Sequence, residues 1–347
     1  MKYKLYLYLV MKLKILIIFY LLAIYGKKLF FGNYFIIKPK ISIFIPVFNK
    51  KKYLFNSINS IQKQSIKDLE VIAINDYSTD DSLALLKYLS KKDSRIKIIN
   101  NDRNHGLLYS RAMGIINSTG EYLINLDPDD ELLGENDLEY LYQISIKSKV
   151  DFVSFGFETK NKHLKSCSIY NKIFKQPLLF LSAFNKNYYL KDLLIWNKFV
   201  KRELFIKAFQ KFKNHIYKEK WNYHEDNIWS VLIHKYANSM ICEKKKVYKY
   251  NYHSDSLMHK KEIIEIKNYI YKEKMIQYLK DGDLMNNNIV NDYFKSFLRV
   301  NKKIKALKNK NNKFKNRFIK IINICIQLKK CSNYLKKTIK KLITTKF

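Results

Sequence analysis

Ile41–Val47 is a nearly unbroken apolar run, and the twelve residues Tyr53–Gln64 that follow carry apolar positions at helical spacing. The alternation then repeats. Leu69–Ile74 reads as a second strand and Asp80–Leu89 as a second helix. Arg95–Ile99 is a third strand, Leu107–Asn117 a third helix and Glu121–Leu126 a fourth strand. Strands alternating with helices predict βαβ units and a mostly parallel α/β sheet. A sheet covered by helices on both faces requires strands that are apolar runs, and these are.

On either side the pattern weakens. Residues 1–40 form a separate segment, in which Leu5–Tyr25 is mostly apolar but holds Lys12 and Lys14. Its uninterrupted part, Ile15–Tyr25, is shorter than the roughly 20 residues that span a bilayer. A tilted signal-anchor with snorkelling lysines is the favoured reading, a cleaved signal peptide the alternative. The expectation is membrane association by a single N-terminal anchor, with orientation and compartment unread. Residues 41–158 form the regular α/β half, and 159–255 a less regular half with Trp196, Trp221 and Trp229. Residues 256–347 form a basic tail, expected to be largely helical. Between Phe314 and Leu342, apolar residues recur every three or four positions among lysines, which suits either an anionic membrane surface or a solvated helical face.

Composition changes this picture little. The net charge is +36, nearly all from lysine. Ile, Asn, Tyr and Phe are also frequent, and all share AT-rich codons, so codon bias accounts for much of the charge without an anionic partner. The basic residues are spread along the chain and no nucleic-acid motif accompanies them, so nucleic acid is not the expected partner. With 47% hydrophobic residues the chain can bury a core. Cys167, Cys242, Cys325 and Cys331 form no CxxC pair and suggest neither a zinc site nor a disulfide framework.

Ligands of an open parallel sheet bind beyond the carboxyl ends of its strands. Phe48 and Asn49 follow the first strand, Asp76 to Asp80 the second, Arg103 to Gly106 the third and Asp127 to Asp130 the fourth. Asp127-Pro128-Asp129-Asp130 places three carboxylates within four residues, and they repel unless something positive compensates. A hard divalent cation with a diphosphate would do so. Asp76 can accept a hydrogen bond from the imide N–H of a uracil ring, or simply form a turn. Ser78 to Asp81 reads as a helix cap. Arg103 and Arg111 are rare arginines in a lysine-rich chain, and their planar forks suit phosphate or base recognition as well as ion pairs. Gly106 opens the third helix or permits close backbone approach. His224-Glu225-Asp226 begins another helical run, where a carboxylate can serve the helix dipole or act as a general base.

These residues carry a specific resemblance. Ile41–Leu133 resembles the nucleotide-binding half of a family 2 glycosyltransferase of GT-A fold, through ISIFIPVFN, EVIAINDYSTDDS and NHGLLYSRAMGIINSTGEYLINLDPDDEL in that order. WNKFVKRELF and HEDNIWSVLI resemble acceptor-side motifs. The resemblance implies an inverting, non-processive transferase that moves a sugar from a nucleotide-diphosphate donor, preferably a UDP-sugar, to a hydroxyl of a glycan, lipid or protein. Pro46, Phe48, Asn49 and Asp76 would hold the nucleoside, with Arg111 near the base or ribose. Asp127 and Asp129, with Asp130 close by, would hold the ribose and diphosphate through Mn2+ or Mg2+. Asp226 would be the base, with Glu225 the alternative. Phe48 stands where the family usually has Tyr, and Ala112 where it usually has Asn. The competing reading is a catalytically silent relative that acts as a binding or scaffold protein. A nucleotidyltransferase would want a glycine-rich loop after Val47, and none is present.

Overall fold

The computed structural model describes residues 38–160, 173–175, 194–217, 220–222 and 225–253. The expected anchor, His224 and the basic tail lie outside the described residues. Among those residues, no helix is long and apolar enough to cross a membrane.

The expected alternation is present. β1 (Ile41–Val47), α1 (Lys51–Gln62), β2 (Leu69–Asn75), α2 (Ser82–Lys92), β3 (Ile96–Asn100), α3 (Leu107–Asn117) and β4 (Tyr122–Asn125) follow in that order. β1 pairs in parallel with β2 and β4, and β2 with β3. The second helix starts later than its sequence suggests. The Asp80 carboxylate accepts the backbone N–H of Ser82 at 3.0 Å and that of Lys51 at 3.1 Å, so it closes the loop ahead of the helix.

The chain continues through β5 (Glu131–Leu132), α4 (Asp137–Ser148), β6 (Phe152–Thr159), β7 (Ile173–Lys175), β8 (Lys198–Lys201), α5 (Arg202–Ile216), α6 (Glu225–Tyr236) and β9 (Ser239–Tyr250). Among the described residues one nine-stranded sheet has the order β3-β2-β1-β4-β8-β6-β9-β5, with β7 also on β9. β8 runs antiparallel to both β4 and β6, while β6 and β9 are parallel. Strands of the two halves read from the sequence thus interleave in one sheet, with β8 of the second half between β4 and β6 of the first.

Alternation within the strands assigns each side chain to a face. Phe44, Ile72 and Ile74 point into one core with Leu108 and Ala112 of α3, Phe205 of α5 and Trp229 of α6. Ile43, Ile45, Val71 and Ala73 point into the other, under Leu54 and Ile58 of α1, Leu86 of α2 and Leu138 of α4. Every residue of β1 and β2 is buried, as strands sandwiched between helical layers must be. Gly114 lets α3 lie close on β1, since a Cβ there would fall 2.6 Å from the Phe44 Cβ.

One core residue links the fold to pH. His234 on α6 is buried, with Nδ1 2.6 Å from the Ser230 carbonyl oxygen. Burial, with the Lys198 charge adding to it, lowers its pKa from 6.5 to about 3. The unfolded chain therefore takes up this proton first. The stabilisation is complete above pH 6.5 and is lost as the pH falls toward 3. Wild-type protein should lose about 2–3 kcal/mol more unfolding free energy than His234→Gln between pH 7 and 4.5. Urea titrations at the two pH values check this, and equal losses would contradict it.

Candidate active site

The carboxyl ends of β1, β2, β3 and β4 face one rim, and polar side chains stitch the loops there together. Asn49 follows β1 with φ 52°, a left-handed conformation that Asn tolerates better than most residues. Its side-chain amide spans to the loop after β2: Nδ2 donates to Thr79 Oγ1 at 3.1 Å, and Oδ1 accepts the Thr79 N–H at 2.8 Å. Asp76, at the end of β2, is buried. Its carboxylate accepts Asn101 Nδ2 at 2.8 Å, the His105 N–H at 2.9 Å and the Gly106 N–H at 2.8 Å. Asp76 thus fastens the loop after β3, and its Oδ2 accepts only one of those three bonds. Between these staples Phe48 is 44% exposed and Tyr77, with φ 62°, is 54% exposed. Pro46 is enclosed in β1, and Arg103 is exposed.

Gly106 opens α3 with φ 94°. A Cβ there would lie 2.8 Å from Asn222 Oδ1 and 3.0 Å from the Trp221 nitrogen. That closeness has a purpose: the first turn of α3 is capped from residues 221–222. Leu107 N–H donates to Asn222 Oδ1 at 2.9 Å and Leu108 N–H to the Trp221 carbonyl at 3.0 Å. These bonds satisfy helix-end donors that would otherwise be orphaned. They also fix the chain just ahead of α6, and so bring Glu225 to Arg111.

Arg111 is the hub of the site, and its side chain is only 3% exposed. Nε donates to Asn125 Oδ1 at 3.1 Å, one terminal nitrogen donates to Asp127 Oδ1 at 3.0 Å, and the other to Glu225 Oε1. Its fork is enclosed by these three protein acceptors. Burial alone would lower its pKa, but Asp127, Glu225 and Asp226 outweigh burial and raise it, so it stays charged.

The three carboxylates of the acidic turn point three ways, and that is how their repulsion is relieved. Asp127 Oδ1 accepts from Arg111 and, at 2.8 Å, from Asn125 Nδ2. Asp129 Oδ2 pairs with Lys50 Nζ at 2.5 Å. Asp130 turns inward to β9, accepting Tyr248 Oη at 2.8 Å and the Asn251 N–H at 2.8 Å. Burial, followed by the charges of Asp127 and Asp129, pushes the Asp130 pKa well above the usual carboxylate range. Its two oxygens serve the protein, so its part in any cation site is to hold the turn. Tyr248 Oη also accepts the Asp127 N–H at 3.1 Å.

Asp127 Oδ2 and Asp129 Oδ1 accept no hydrogen bond from the described residues. Those two hard oxygens are what Mn2+ or Mg2+ takes from proteins that also supply it with substrate phosphate. No group of three or more His, Cys, Asp or Glu among the described residues could hold a metal without such help. The residues therefore fit a cation that arrives with a phosphorylated ligand.

Glu225 and Asp226 start α6 side by side but differ. Glu225 is buried against Arg111. Burial pushes its pKa up to about 7, with Arg111 opposing and Asp226 adding to the rise. Asp226 is partly exposed, and its Oδ1 accepts the Asn227 N–H at 2.9 Å. Desolvation raises its pKa as well, against the pull of Arg111. Lys50, Asn125, Tyr248 and Asn251 are the site residues that sequence reasoning missed. Lys50 is hidden in a run of three lysines, and Tyr248 lies more than a hundred residues from its partners.

Comparison with known proteins bears on the fold and the family. The profile of Glycosyl transferase family 2 matches residues 42–209. The chain is 41% identical over 96 residues to the GalNAc(5)-diNAcBac-PP-undecaprenol β-1,3-glucosyltransferase of Campylobacter jejuni, covering 27% of this chain and 31% of that protein. It is 29% identical over 156 residues to glycosyltransferase GlyA of Streptococcus pneumoniae, covering 43% and 22%. The match thus spans about a third or less of these two relatives. Among solved structures, S. aureus TarS 1-349 in complex with UDP-GlcNAc superimposes with a TM-score of 0.58 at 18% identity, over 75% of this chain and 72% of that one. The mannosyltransferase PcManGT of Pyrobaculum calidifontis, in complex with GDP-Man and Mn2+, does so at 0.51 and 11%, over 84% and 81%. These two structures share the fold, a GT-A sheet with helices on both faces. Through residues 42–209 the chain is thus similar to glycosyl transferase family 2, and its described residues share the fold.

Proposed function

We propose that this chain transfers a hexosyl or N-acetylhexosaminyl group, with inversion, from a nucleotide-diphosphate donor to a hydroxyl of a glycan, lipid or protein acceptor. The donor is a UDP-sugar. The N-terminal segment keeps the enzyme at a membrane. The observation that carries this reading is the Arg111 fork, which holds Asp127 and Glu225 in one frame and so sets the acidic turn beside Asp226.

Phe48, Asn49 and Asp76 frame the nucleoside, and Asp127 and Asp129 offer their open oxygens beside the diphosphate. When bound, Mn2+ or Mg2+ neutralises charge on the departing diphosphate, which is where the transition state needs it. Asp226 accepts the proton of the acceptor hydroxyl. The hydroxyl oxygen then bonds to the anomeric carbon as the bond from that carbon to the diphosphate oxygen breaks on the opposite face. Asp226 suits this role better than Glu225, because Glu225 is buried and committed to Arg111, whereas Asp226 keeps solvent access.

The test is a comparison of Asp129→Asn with Asp226→Asn. Asp129→Asn should weaken metal-dependent donor binding about tenfold or more, the scale of losing one charged ligand. Asp226→Asn should leave that binding intact and remove transfer. Isothermal titration with UDP-sugar and Mn2+, paired with single-turnover transfer, separates the two. Full transfer rates in both variants would sink the assignment. The raised pKa of Asp226 adds a check: activity should rise with pH through a limb above the ordinary aspartate range.

A further inference from the structure

Lys50 sits where the proposed function places no residue. It is the N-cap of α1, and its backbone is fixed on both sides. Its N–H donates to Ser82 Oγ at 2.9 Å, and its carbonyl accepts the N–H groups of Tyr53 and Leu54, each at 3.0 Å. From that anchored position the side chain reaches across the rim to Asp129, with Nζ 2.5 Å from Oδ2. The ammonium also lies 5.7 Å from the centre of the Tyr53 ring. Both partners are partly enclosed, at 24% and 17% exposure, so solvent screens the pair only in part.

We propose that Lys50 is a tethered cation that keeps free divalent metal off Asp129 until the donor arrives, and that its ammonium then serves as a ligand for the donor diphosphate. The inference rests on the donor reading above. The signs of the charges support it. A bare divalent ion approaching Asp129 meets the Lys50 charge at close range and finds one carboxylate oxygen already taken. A metal bound to a diphosphate has that charge largely cancelled, so the same lysine no longer repels it. The phosphate oxygens then offer the ammonium a new acceptor. Lysine suits this better than arginine would, as a compact point charge on a flexible stem that can change partners. The consequence is that metal and donor load together, and metal alone loads poorly.

The experiment measures binding, not turnover. Mn2+ binding to the full-length chain is followed by the electron paramagnetic resonance signal of free Mn2+, with and without UDP. The proteins are wild type, Lys50→Met and Lys50→Arg. Lys50→Met should bind Mn2+ alone about tenfold tighter than wild type, and Mn2+ with UDP about tenfold weaker. Lys50→Arg keeps the charge and should stay near wild type in Mn2+ alone, which shows that charge and not misfolding causes the change. Wild-type binding of Mn2+–UDP with unchanged values in Lys50→Met overturns the inference and leaves the donor reading standing. Absence of Mn2+–UDP binding in wild type overturns both.

Discussion

Asp226→Asn should lower kcat about a thousandfold while leaving affinity for the donor unchanged. The substitution keeps the size and planarity of the side chain and removes its ability to take a proton. Asp226 is partly exposed at the first turn of α6, and the Arg111 frame holds Glu225, its neighbour in the chain. Desolvation raises its pKa, which makes it a stronger base than a solvated aspartate. A base in this position matters only when the hydroxyl attacks, so its loss falls on kcat and not on donor binding. Pre-steady-state transfer with saturating donor measures this. A loss of less than about tenfold would mean that another group takes the proton.

The second large effect falls on stability. Arg111→Met should cost about 3–5 kcal/mol of unfolding free energy. The side chain is almost fully enclosed, and its removal leaves Asp127 and Glu225 without their shared cation. Breaking one side of a buried ion network strands the remaining charges, which costs more than the net worth of the network. Arg111→Lys should restore little, because three acceptors on three sides require a planar fork and lysine offers one point of charge. Adding Glu225→Gln to Arg111→Met should recover part of the loss by removing a stranded charge, and the non-additivity reports the coupling. Urea denaturation of wild type, Arg111→Met, Arg111→Lys, Glu225→Gln and the double variant gives these values. An Arg111→Met cost below about 1 kcal/mol would show that the network is not the frame of the site.

The parts of this protein that are local in sequence were legible there. β1 to β4 and their helices follow from apolar runs and helical spacing; both faces of β1, β2 and β4 are covered, while β3 at the sheet edge is only partly buried. Leu107–Asn117 was read to the residue, since Gly106 ends the preceding loop and the helix begins at once. What depends on distant pairing was not legible. β8 has four residues and no alternation, and it is a strand only because β4 and β6 lie on either side of it.

The same division holds in the site. The acidic turn and the Glu225-Asp226 pair announce themselves as clustered carboxylates. Their division of labour does not, because it depends on which charge each one faces. The sequence reading expected one divalent ion to compensate all three carboxylates of the turn. In the structure Arg111 meets Asp127, Lys50 meets Asp129, and Asp130 is drawn inward by Tyr248 and Asn251. Arg111 stood out as a rare arginine, but rarity says nothing about direction. Only the fold shows that its fork meets Asn125, Asp127 and Glu225.

The central claim is that Asp127 and Asp129 bind a nucleotide-sugar diphosphate together with a divalent metal. The most direct test titrates the full-length chain with a panel of nucleotide sugars, with and without Mn2+, and follows heat of binding and slow donor hydrolysis. The account predicts that one donor, a UDP-sugar, binds and is slowly hydrolysed only when Mn2+ is present, and that Asp129→Asn weakens this metal-dependent binding about tenfold or more. Folded protein that binds no donor under any of these conditions would contradict it, and would point instead to a protein that has the fold without the chemistry.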